Sequence, residues 1–305
     1  EYRGYDSAGI ALIKAGTVEI RRSAGKLSQL EKAIRSQPVH GDYGVGHTRW
    51  ATHGRPTEEN AHPHRDCTGQ IVVVHNGIIE NYLELKHQLE GEGHHFETET
   101  DTEVVAHLVE REMRDDGLEN AVRRALVHLR GLFGLALVAA NDPEKIVAVR
   151  NGPPIILGMG DGEFLVASDI PAVLSHTRDV VFLGDEEIAV ITRSHVEFTD
   201  FAGRSVSKAI ERIQWDPVMT EKAGYKHFML KEIFDQPWAV QETIRGRLSE
   251  EQGTVILGEL NLSGDDFRNV DQVVILACGT SWHAGLVGKF LIEQLARVRV
   301  DVDET

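Results

Sequence analysis

Residues 46–54 read Gly46-His47-Thr48-Arg49-Trp50-Ala51-Thr52-His53-Gly54, and the rest of the sequence can be arranged around this stretch. Val45, just before this stretch, starts a segment with β character. It closes at Gly54-Arg55-Pro56, where glycine and proline break regular structure. The stretch therefore predicts a strand that ends in a polar loop, and such a loop can enclose a small polar ligand.

Three side chains of this loop suit the head group of an amino acid. Arg49 presents a planar fork of donors that matches a carboxylate, and Thr52 and His53 add short hydrogen-bonding groups. On these residues alone, an equally simple interpretation is that Arg49 is a surface ion-pair partner and His53 an ordinary loop histidine.

Composition excludes several classes of partner. The 305 residues are 41% hydrophobic, with 32 Lys and Arg against 48 Asp and Glu, a formal net charge of -16. This charge disfavours nucleic acid and anionic membranes as partners, and no apolar run is long enough to span a bilayer. Two cysteines far apart in sequence, Cys67 and Cys278, argue for a reducing, cytoplasmic location. The sequence begins at Glu1 and not at an initiator Met, and its first residues show no signal-peptide pattern. This is expected of a chain that starts within a longer protein.

Residues 60–67 concentrate possible metal ligands in the run Asn-Ala-His-Pro-His-Arg-Asp-Cys. One cysteine and two histidines leave a tetrahedral site one ligand short, and the sequence offers no second ligand cluster at finger-like spacing. We therefore predict no metal site and no cofactor.

Asn76-Gly77 follows a short apolar strand over residues 71–75 and precedes an amphipathic helix over residues 82–92. The pattern predicts a strand-to-helix turn. A side-chain amide and a glycine N–H at such a turn can converge on one oxygen, as an oxyanion site for acyl transfer requires. A plain tight turn is the alternative, because Asn-Gly is a common turn dipeptide.

Asp101 lies just before a helix predicted over residues 104–113. Thr100 or Asp101 suits the N-cap of that helix. Alternatively, the Asp101 carboxylate faces the pocket and receives an ammonium group.

Strands and helices recur along the first 200 residues, and the helical spacing of Leu27, Leu30 and Ile34 predicts a helix over residues 26–35. The strands predicted over residues 8–14, 17–23, 132–140, 145–150, 155–158, 163–167, 180–183, 187–192 and 195–199 are flanked by helices, which indicates two stacked sheets with helices outside. Residues 218–248 then predict a long helix interrupted at Pro237, which we interpret as an interdomain connector.

The end of the chain changes character. Residues 273–277 form a continuous apolar run, typical of a strand buried on both faces of a parallel sheet, and a helix is predicted over residues 282–296. Between them, Thr280 and Ser281 lie where free N–H groups at a helix start suit a phosphate. Many such turns carry no ligand. One βα unit does not make a complete doubly wound domain.

Five ordered motifs give the chain a family resemblance. Residues 2–9 (Tyr-Arg-Gly-Tyr-Asp-Ser-Ala-Gly), 47–54, 60–64, 75–81 and 100–103 resemble the glutaminase domain of the glutamine:fructose-6-phosphate aminotransferase family. Residues 225–233 with Gln236-Pro237 resemble its linker, and residues 278–281 resemble the start of its first sugar isomerase domain. The resemblance covers nearly the whole chain.

The resemblance implies a fold and a domain order. The fold is α/β: a four-layer α/β/β/α amino-terminal-nucleophile hydrolase (class II glutaminase) domain over residues 1–205, linker helices over residues 206–250, and the start of a doubly wound sugar isomerase (SIS) domain over residues 251–305. It further implies transfer of ammonia from glutamine to fructose 6-phosphate, giving glucosamine 6-phosphate and glutamate, by a protein that is a homodimer at full length.

The resemblance also implies roles for individual residues. Glutamine is held by Arg49, Thr52, His53 and Asp101, and the oxyanion hole is formed by Asn76 and Gly77. Trp50 matches the mobile loop that closes over glutamine, Arg3 matches a residue near the nucleophile, and Thr280 and Ser281 match the sugar-phosphate site.

Two departures from the family pattern matter. The family's nucleophile is an amino-terminal Cys, whereas this sequence starts at Glu1 and its two cysteines match other positions, so the 305 residues alone are expected to be inactive. Pro153 replaces a small polar residue. The alternatives are an amidophosphoribosyltransferase-like glutaminase and a non-catalytic glutamine or sugar-phosphate binding protein.

Overall fold

The computed structural model describes residues 5–51, 53–214, 225–245, 247–249, 253–255 and 264–304. Two compact units divide the chain, Glu1–Phe228 and Met229–Thr305. The strands are β1 Ser7–Lys14, β2 Thr17–Ala24, β3 Tyr43–Arg49, β4 His64–Arg65, β5 Ile71–Ile79, β6 Gly131–Ala139, β7 Asp142–Asn151, β8 Ile156–Met159, β9 Phe164–Ala167, β10 Asp179–Phe182, β11 Glu187–Thr192, β12 Val196–Asp200, β13 Glu211–Arg212, β14 Leu248–Ser249, β15 Thr254–Val255, β16 Gln272–Ala277 and β17 Arg299–Glu304. The helices are α1 Leu27–Ser36, α2 Tyr82–Gly91, α3 Glu103–Glu112, α4 Leu118–Leu126, α5 Phe228–Ile244, α6 Gly264–Arg268 and α7 Gly279–Leu295, with a short 3₁₀ helix at Ile170–Ala172.

Three antiparallel sheets are present in the described part of the first unit. The largest has the order β12-β11-β7-β6-β5-β4, and the smaller sheets have the orders β2-β1-β3 and β13-β10-β8-β9. The strands predicted between residues 8 and 23 and between residues 132 and 199 are present, with ends that differ from the prediction by at most three residues. The helix predicted near residues 26–35 is α1, which packs against β1 and β2.

Alternating side chains of the large sheet explain its layers. In β5, Val73 belongs to a core shared with α2, α3 and α4, whereas Val72 and Val74 pack against Ala11 and Val45 of the small sheet. Because successive residues of a strand point to opposite faces, a strand that is apolar throughout must be covered on both sides. The result is the order helices, sheet, sheet, helix, as predicted.

One predicted boundary in this part is wrong. Asn76 and Gly77 are not a turn, because β5 continues to Ile79 and pairs with β6 down to Gly131. Gly77 has φ +120°, and a Cβ there would lie 2.0 Å from the carbonyl oxygen of Leu132. The residue must therefore be glycine to keep the strand paired.

The second unit contains α5, the hairpin β14-β15, α6 and a parallel pair, β16 and β17, joined through α7. The predicted strand and helix at residues 273–296 are thus confirmed. Burial on both faces of that strand is not found, since β16 residues are exposed or half-buried. The predicted helix over residues 218–248 is shorter: it begins at Phe228, ends at Ile244 and continues through Pro237. Proline fits helical φ at the loss of one hydrogen bond. Residues 215–224 lie outside the described residues.

None of the helices in the described ranges combines the length and the apolar composition needed to cross a bilayer.

Candidate active site

A cavity of about 450 Å³ lies at the ends of β3 and β5, beside the segment that precedes α3. Six of the predicted site residues line it together: Arg49, Trp50, His53, Asn76, Gly77 and Asp101. Thr52 and Arg3 lie outside the described residues. Thr280 and Ser281 belong to the other unit, where both are exposed in the first turn of α7.

Arg49 is buried, and its guanidinium holds the loop that follows β3. Nη1 donates to the carbonyl oxygen of Arg55 at 3.3 Å, and Nη2 donates to those of Gly54, at 3.3 Å, and His53. Burial lowers the pKa of Arg49, against the opposing influence of Asp6 and Asp101. An arginine nonetheless stays charged near neutral pH, so the cavity wall carries a fixed cation. The interpretation of Arg49 as a surface ion-pair partner is wrong, because the residue is only 3% exposed.

Asp101 supplies the opposite charge on the same wall. Its Oδ2 accepts a hydrogen bond from the N–H of Ile79 at 2.8 Å, and its Oδ1 lies 3.9 Å from Nδ1 of His53. The prediction of Thr100 or Asp101 as a helix cap is wrong: α3 has Thr102 at its N-cap position, without a side-chain cap bond. Asp101 therefore joins the pocket to β5 and leaves Oδ1 directed at the histidine side of the cavity.

Asn76 is held by a histidine that the sequence analysis did not single out. Nε2 of His47 lies 2.7 Å from Oδ1 of Asn76. A carbonyl-type oxygen only accepts, so His47 donates here, and the amide NH₂ of Asn76 is left to donate elsewhere. The position of His47 two residues before Arg49, on an alternating strand, was the signal that would have placed both on the same side of β3.

Burial keeps three of the histidines that line the cavity neutral near pH 7. It lowers the pKa of His47, of His62 to well below its usual range, and of His75 to about 4. His62 Nε2 and His75 Nδ1 both contact the hydroxyl of Thr102, at 3.0 and 2.9 Å. Arg49 and Asp101 therefore lie on a cavity wall that also carries these three neutral histidines.

Trp50 is 71% exposed at the mouth of the cavity. Its neighbours are fixed by Asp6, whose N–H donates to the carbonyl oxygen of Arg49 at 2.8 Å and whose Oδ2 accepts from the N–H of Ala51. The backbone around Trp50 is thus anchored while its ring is free to contact solvent. Pro153, the departure noted in the sequence, forms another part of the wall.

Comparison with known proteins gives a consistent identification. The family described as "Glutamine amidotransferase domain" matches residues 47–175. The chain is 47% identical over 303 residues to the "Glutamine--fructose-6-phosphate aminotransferase [isomerizing]" of Caldanaerobacter subterraneus subsp. tengcongensis, and 50% identical over 313 residues to that of Methanosarcina acetivorans. Each alignment covers 99% of this chain and 50% of the relative. The chain therefore spans about half the length of the curated relatives it matches.

Solved structures agree on the fold. One is titled "glutamine phosphoribosylpyrophosphate (PRPP) amidotransferase from B. subtilis complexed with ADP and GMP", with TM-score 0.57, 18% identity, and coverage of 99% of this chain and 76% of that chain. Another, "structure of the allosteric regulatory enzyme of purine biosynthesis", has TM-score 0.56 and 24% identity over 66% of this chain and 44% of that chain. The chain thus has the class II glutamine amidotransferase (amino-terminal-nucleophile hydrolase) fold and is related over 99% of its length to the glutamine--fructose-6-phosphate aminotransferases.

Proposed function

We propose that the cavity binds L-glutamine by its two charged ends. The observation that carries the proposal is the pair Arg49 and Asp101, one cation and one anion, each 3% exposed on a cavity whose buried histidines are neutral. A free amino acid has one carboxylate and one ammonium group, and a guanidinium and a carboxylate are their best partners. Arg49 is assigned to the α-carboxylate and Asp101 to the α-ammonium. His53 and Thr52 supply further polar contacts.

The amide end of glutamine is placed at Asn76 and Gly77. Acyl transfer puts negative charge on the amide oxygen, and donors already aimed at that position stabilise it. Asn76 meets this requirement because His47 occupies its oxygen and leaves its NH₂ group available. The second donor is the backbone N–H of Gly77, a position where the Cβ of any other residue would clash with Leu132.

The attacking group in this proposal is the amino-terminal Cys that the resemblance implies. Its α-amine serves as the base, the cysteine sulfur forms a thioester with the glutamyl group, and ammonia leaves. Arg3 stands near this nucleophile, and Trp50 closes over glutamine. Water then releases glutamate from the thioester.

The ammonia is transferred to fructose 6-phosphate to give glucosamine 6-phosphate, as the names of the curated relatives suggest. The chain divides in this proposal into a glutaminase domain over residues 1–205, a linker over residues 206–250 and the beginning of a sugar isomerase domain over residues 251–305. Thr280 and Ser281, exposed at the start of α7 after a parallel strand, bind the sugar phosphate.

The remaining assignments rest on composition and resemblance. The full-length protein is proposed to be a cytoplasmic homodimer, with no nucleic-acid partner in view of its net charge of -16. Identities near 50% to the aminotransferases, against 18% and 24% to the two solved structures, do not favour the amidophosphoribosyltransferase alternative.

A chimera tests the function of this chain's pocket. In it, the chain replaces the matching half of the Methanosarcina acetivorans relative, which supplies the rest of the protein. We expect glutamate release from glutamine, measured by a coupled assay, and strong loss of that release in Asn76→Ala. A chimera that isomerises fructose 6-phosphate but releases no glutamate would contradict the proposal, because the isomerase activity shows that the rest of the protein is folded.

A further inference from the structure

A second cluster of chemically active side chains lies in the first unit, apart from the residues that line the cavity. Cys67 follows β4, His94 follows α2, and His107 and Glu110 lie one turn apart on α3. The Cys67 Sγ, the two histidine Nδ1 atoms and one oxygen of Glu110 all lie within 4.8 Å of one another. Three separate elements therefore direct a thiol, two imidazoles and a carboxylate at one point.

Four of the six distances between these atoms are close to the edges of a small tetrahedron. Cys67 Sγ lies 3.4 Å from Nδ1 of His107 and 3.7 Å from Nδ1 of His94. Oε2 of Glu110 lies 3.4 Å and 3.1 Å from the same two nitrogens. Zinc bonds of about 2.0–2.3 Å in tetrahedral geometry place the ligand atoms about 3.3–3.6 Å from one another. Four of the six edges thus already have close to the required length.

His107 has the surroundings of a metal-binding histidine. It is 1% exposed, and its other ring nitrogen, Nε2, lies 3.5 Å from Oε1 of Glu103. A histidine that binds metal through Nδ1 carries its proton on Nε2, and such a proton is commonly directed at a carboxylate. Glu103 is in turn fixed by the N–H groups of Glu97 and Thr98, at 2.7 and 2.8 Å.

We propose that Cys67, His94, His107 and Glu110 bind one Zn²⁺ ion as a four-coordinate structural site. A thiolate, two neutral imidazoles and a carboxylate are the ligand types zinc takes, and four protein ligands leave no open position for catalysis. On binding, the Cys67 thiol gives its proton to solvent and both Nδ1 atoms are unprotonated. Cys67 is exposed, which gives the ion a route to the site.

The ion would fasten the segment that carries Asp101. His94 lies before this segment and His107 after it, and Glu103 contacts the backbone between them. Metal binding at His94 and His107 should therefore help to fix the position of Asp101, the proposed contact for glutamine. The expected consequence is a higher melting temperature with zinc, because a ligand that binds only the folded chain stabilises it.

Cobalt substitution tests the site on the 305-residue chain after treatment with a chelator. Co²⁺ should bind one equivalent, with the near-ultraviolet charge-transfer band of a cobalt–thiolate bond and the visible absorption of four-coordinate cobalt, and Zn²⁺ should displace it. Cys67→Ser should abolish the charge-transfer band, whereas Cys278→Ser, at the chain's other exposed cysteine, should keep it.

A hydrogen-bonded cluster without metal gives different results. In that case Glu110 Oε2 simply accepts from both histidines and from the N–H of Cys67, 3.2 Å away. Absence of a thiolate band from the wild-type chain, or a band that persists in Cys67→Ser, would overturn the proposal. So would zinc affinity that is unchanged in Glu110→Gln, which keeps the shape of the side chain but should weaken binding at least about tenfold.

Discussion

The two ends of the cavity are built differently. At the charged end, Arg49 and Asp101 are buried groups from separate parts of the chain, each fixed by backbone partners. At the amide end, Asn76 and Gly77 are neighbours on one strand, and the orientation of Asn76 depends on a neutral histidine. One end offers full charges and the other offers uncharged donors.

In the proposed function, this difference should separate substrate binding from catalysis. The charges of an amino acid's α-carboxylate and α-ammonium are the same before and during the reaction, so the charged end should contribute to KM. The amide oxygen gains charge only during the reaction, so donors at the amide end should contribute mainly to kcat. The predictions below test this separation in the chimera unless another protein is named.

The largest effect is expected at Asn76. Asn76→Ala removes one donor to the developing oxyanion and should lower kcat for glutamate release by roughly 10²–10³-fold, with KM for glutamine nearly unchanged. Steady-state kinetics measure both constants. An effect mainly on KM would place Asn76 among the residues that bind the substrate before reaction.

Arg49→Lys tests the charged end. Lysine keeps the charge but loses the planar fork, so KM for glutamine should rise about 10–100-fold, with a smaller change in kcat. The exposed neighbour Arg55 provides the matched control, since Arg55→Lys should change neither constant much. Equal KM values for the Arg49→Lys and Arg55→Lys variants would show that the fork does not hold substrate.

Buried histidines near the cavity should make the 305-residue chain sensitive to acid. The pKa of His64 is about 3 and that of His75 about 4, both lowered by burial, whereas histidines of the unfolded chain titrate near 6.5. Between these values the unfolded chain binds protons that the native chain does not. The free energy of unfolding is therefore unaffected by these histidines above about pH 6.5. It falls as the pH is lowered, by roughly 2 kcal/mol per histidine at pH 5.

Urea unfolding at pH 7 and pH 5 measures this loss. His64→Gln removes one of the two groups, so its stability should depend less on pH than that of the wild-type chain. The same pH dependence in both proteins would mean that the His64 pKa is not lowered.

His47→Ala should have the smallest effect of the series. Removal of one neutral hydrogen bond costs about 1 kcal/mol, so kcat should fall about fivefold while KM stays constant, because Asn76 keeps its donors but loses the partner that orients them. The exposed His87 supplies the control variant, His87→Ala. If kcat for His47→Ala equals that of the control, Asn76 is oriented by other contacts.

Local patterns in the sequence account for much of the fold. Alternating apolar residues located the strands, and Leu27, Leu30 and Ile34 located α1. The end of β5 was misjudged because Asn76-Gly77 has turn composition, while the partner that extends the strand, β6, lies more than 50 residues later. The secondary-structure preference of a residue depends on its own type, whereas strand pairing depends on partners that are distant in sequence.

Candidate-site residues could be grouped from the sequence alone only where they are neighbours within one motif. Arg49 and Asp101 were brought together by resemblance rather than by any spacing rule. The cluster of Cys67, His94, His107 and Glu110 could not be predicted from spacing, because its residues come from three separate parts of the chain and finger-like spacing describes only residues close in sequence. His62 and Cys67 belong to the same short run of the sequence, yet His62 lines the cavity and Cys67 lies in the separate cluster.

The most direct test of the account is the effect of Asp101→Asn on glutamine use by the chimera. Loss of the carboxylate that receives the α-ammonium should raise KM for glutamine about 100-fold and leave isomerisation of fructose 6-phosphate unchanged. Glutamate release at a series of glutamine concentrations, with isomerase activity measured on the same preparation, gives both quantities. An unchanged KM accompanied only by a lower melting temperature would contradict the account, because Asp101 would then hold β5 through Ile79 and would not bind substrate.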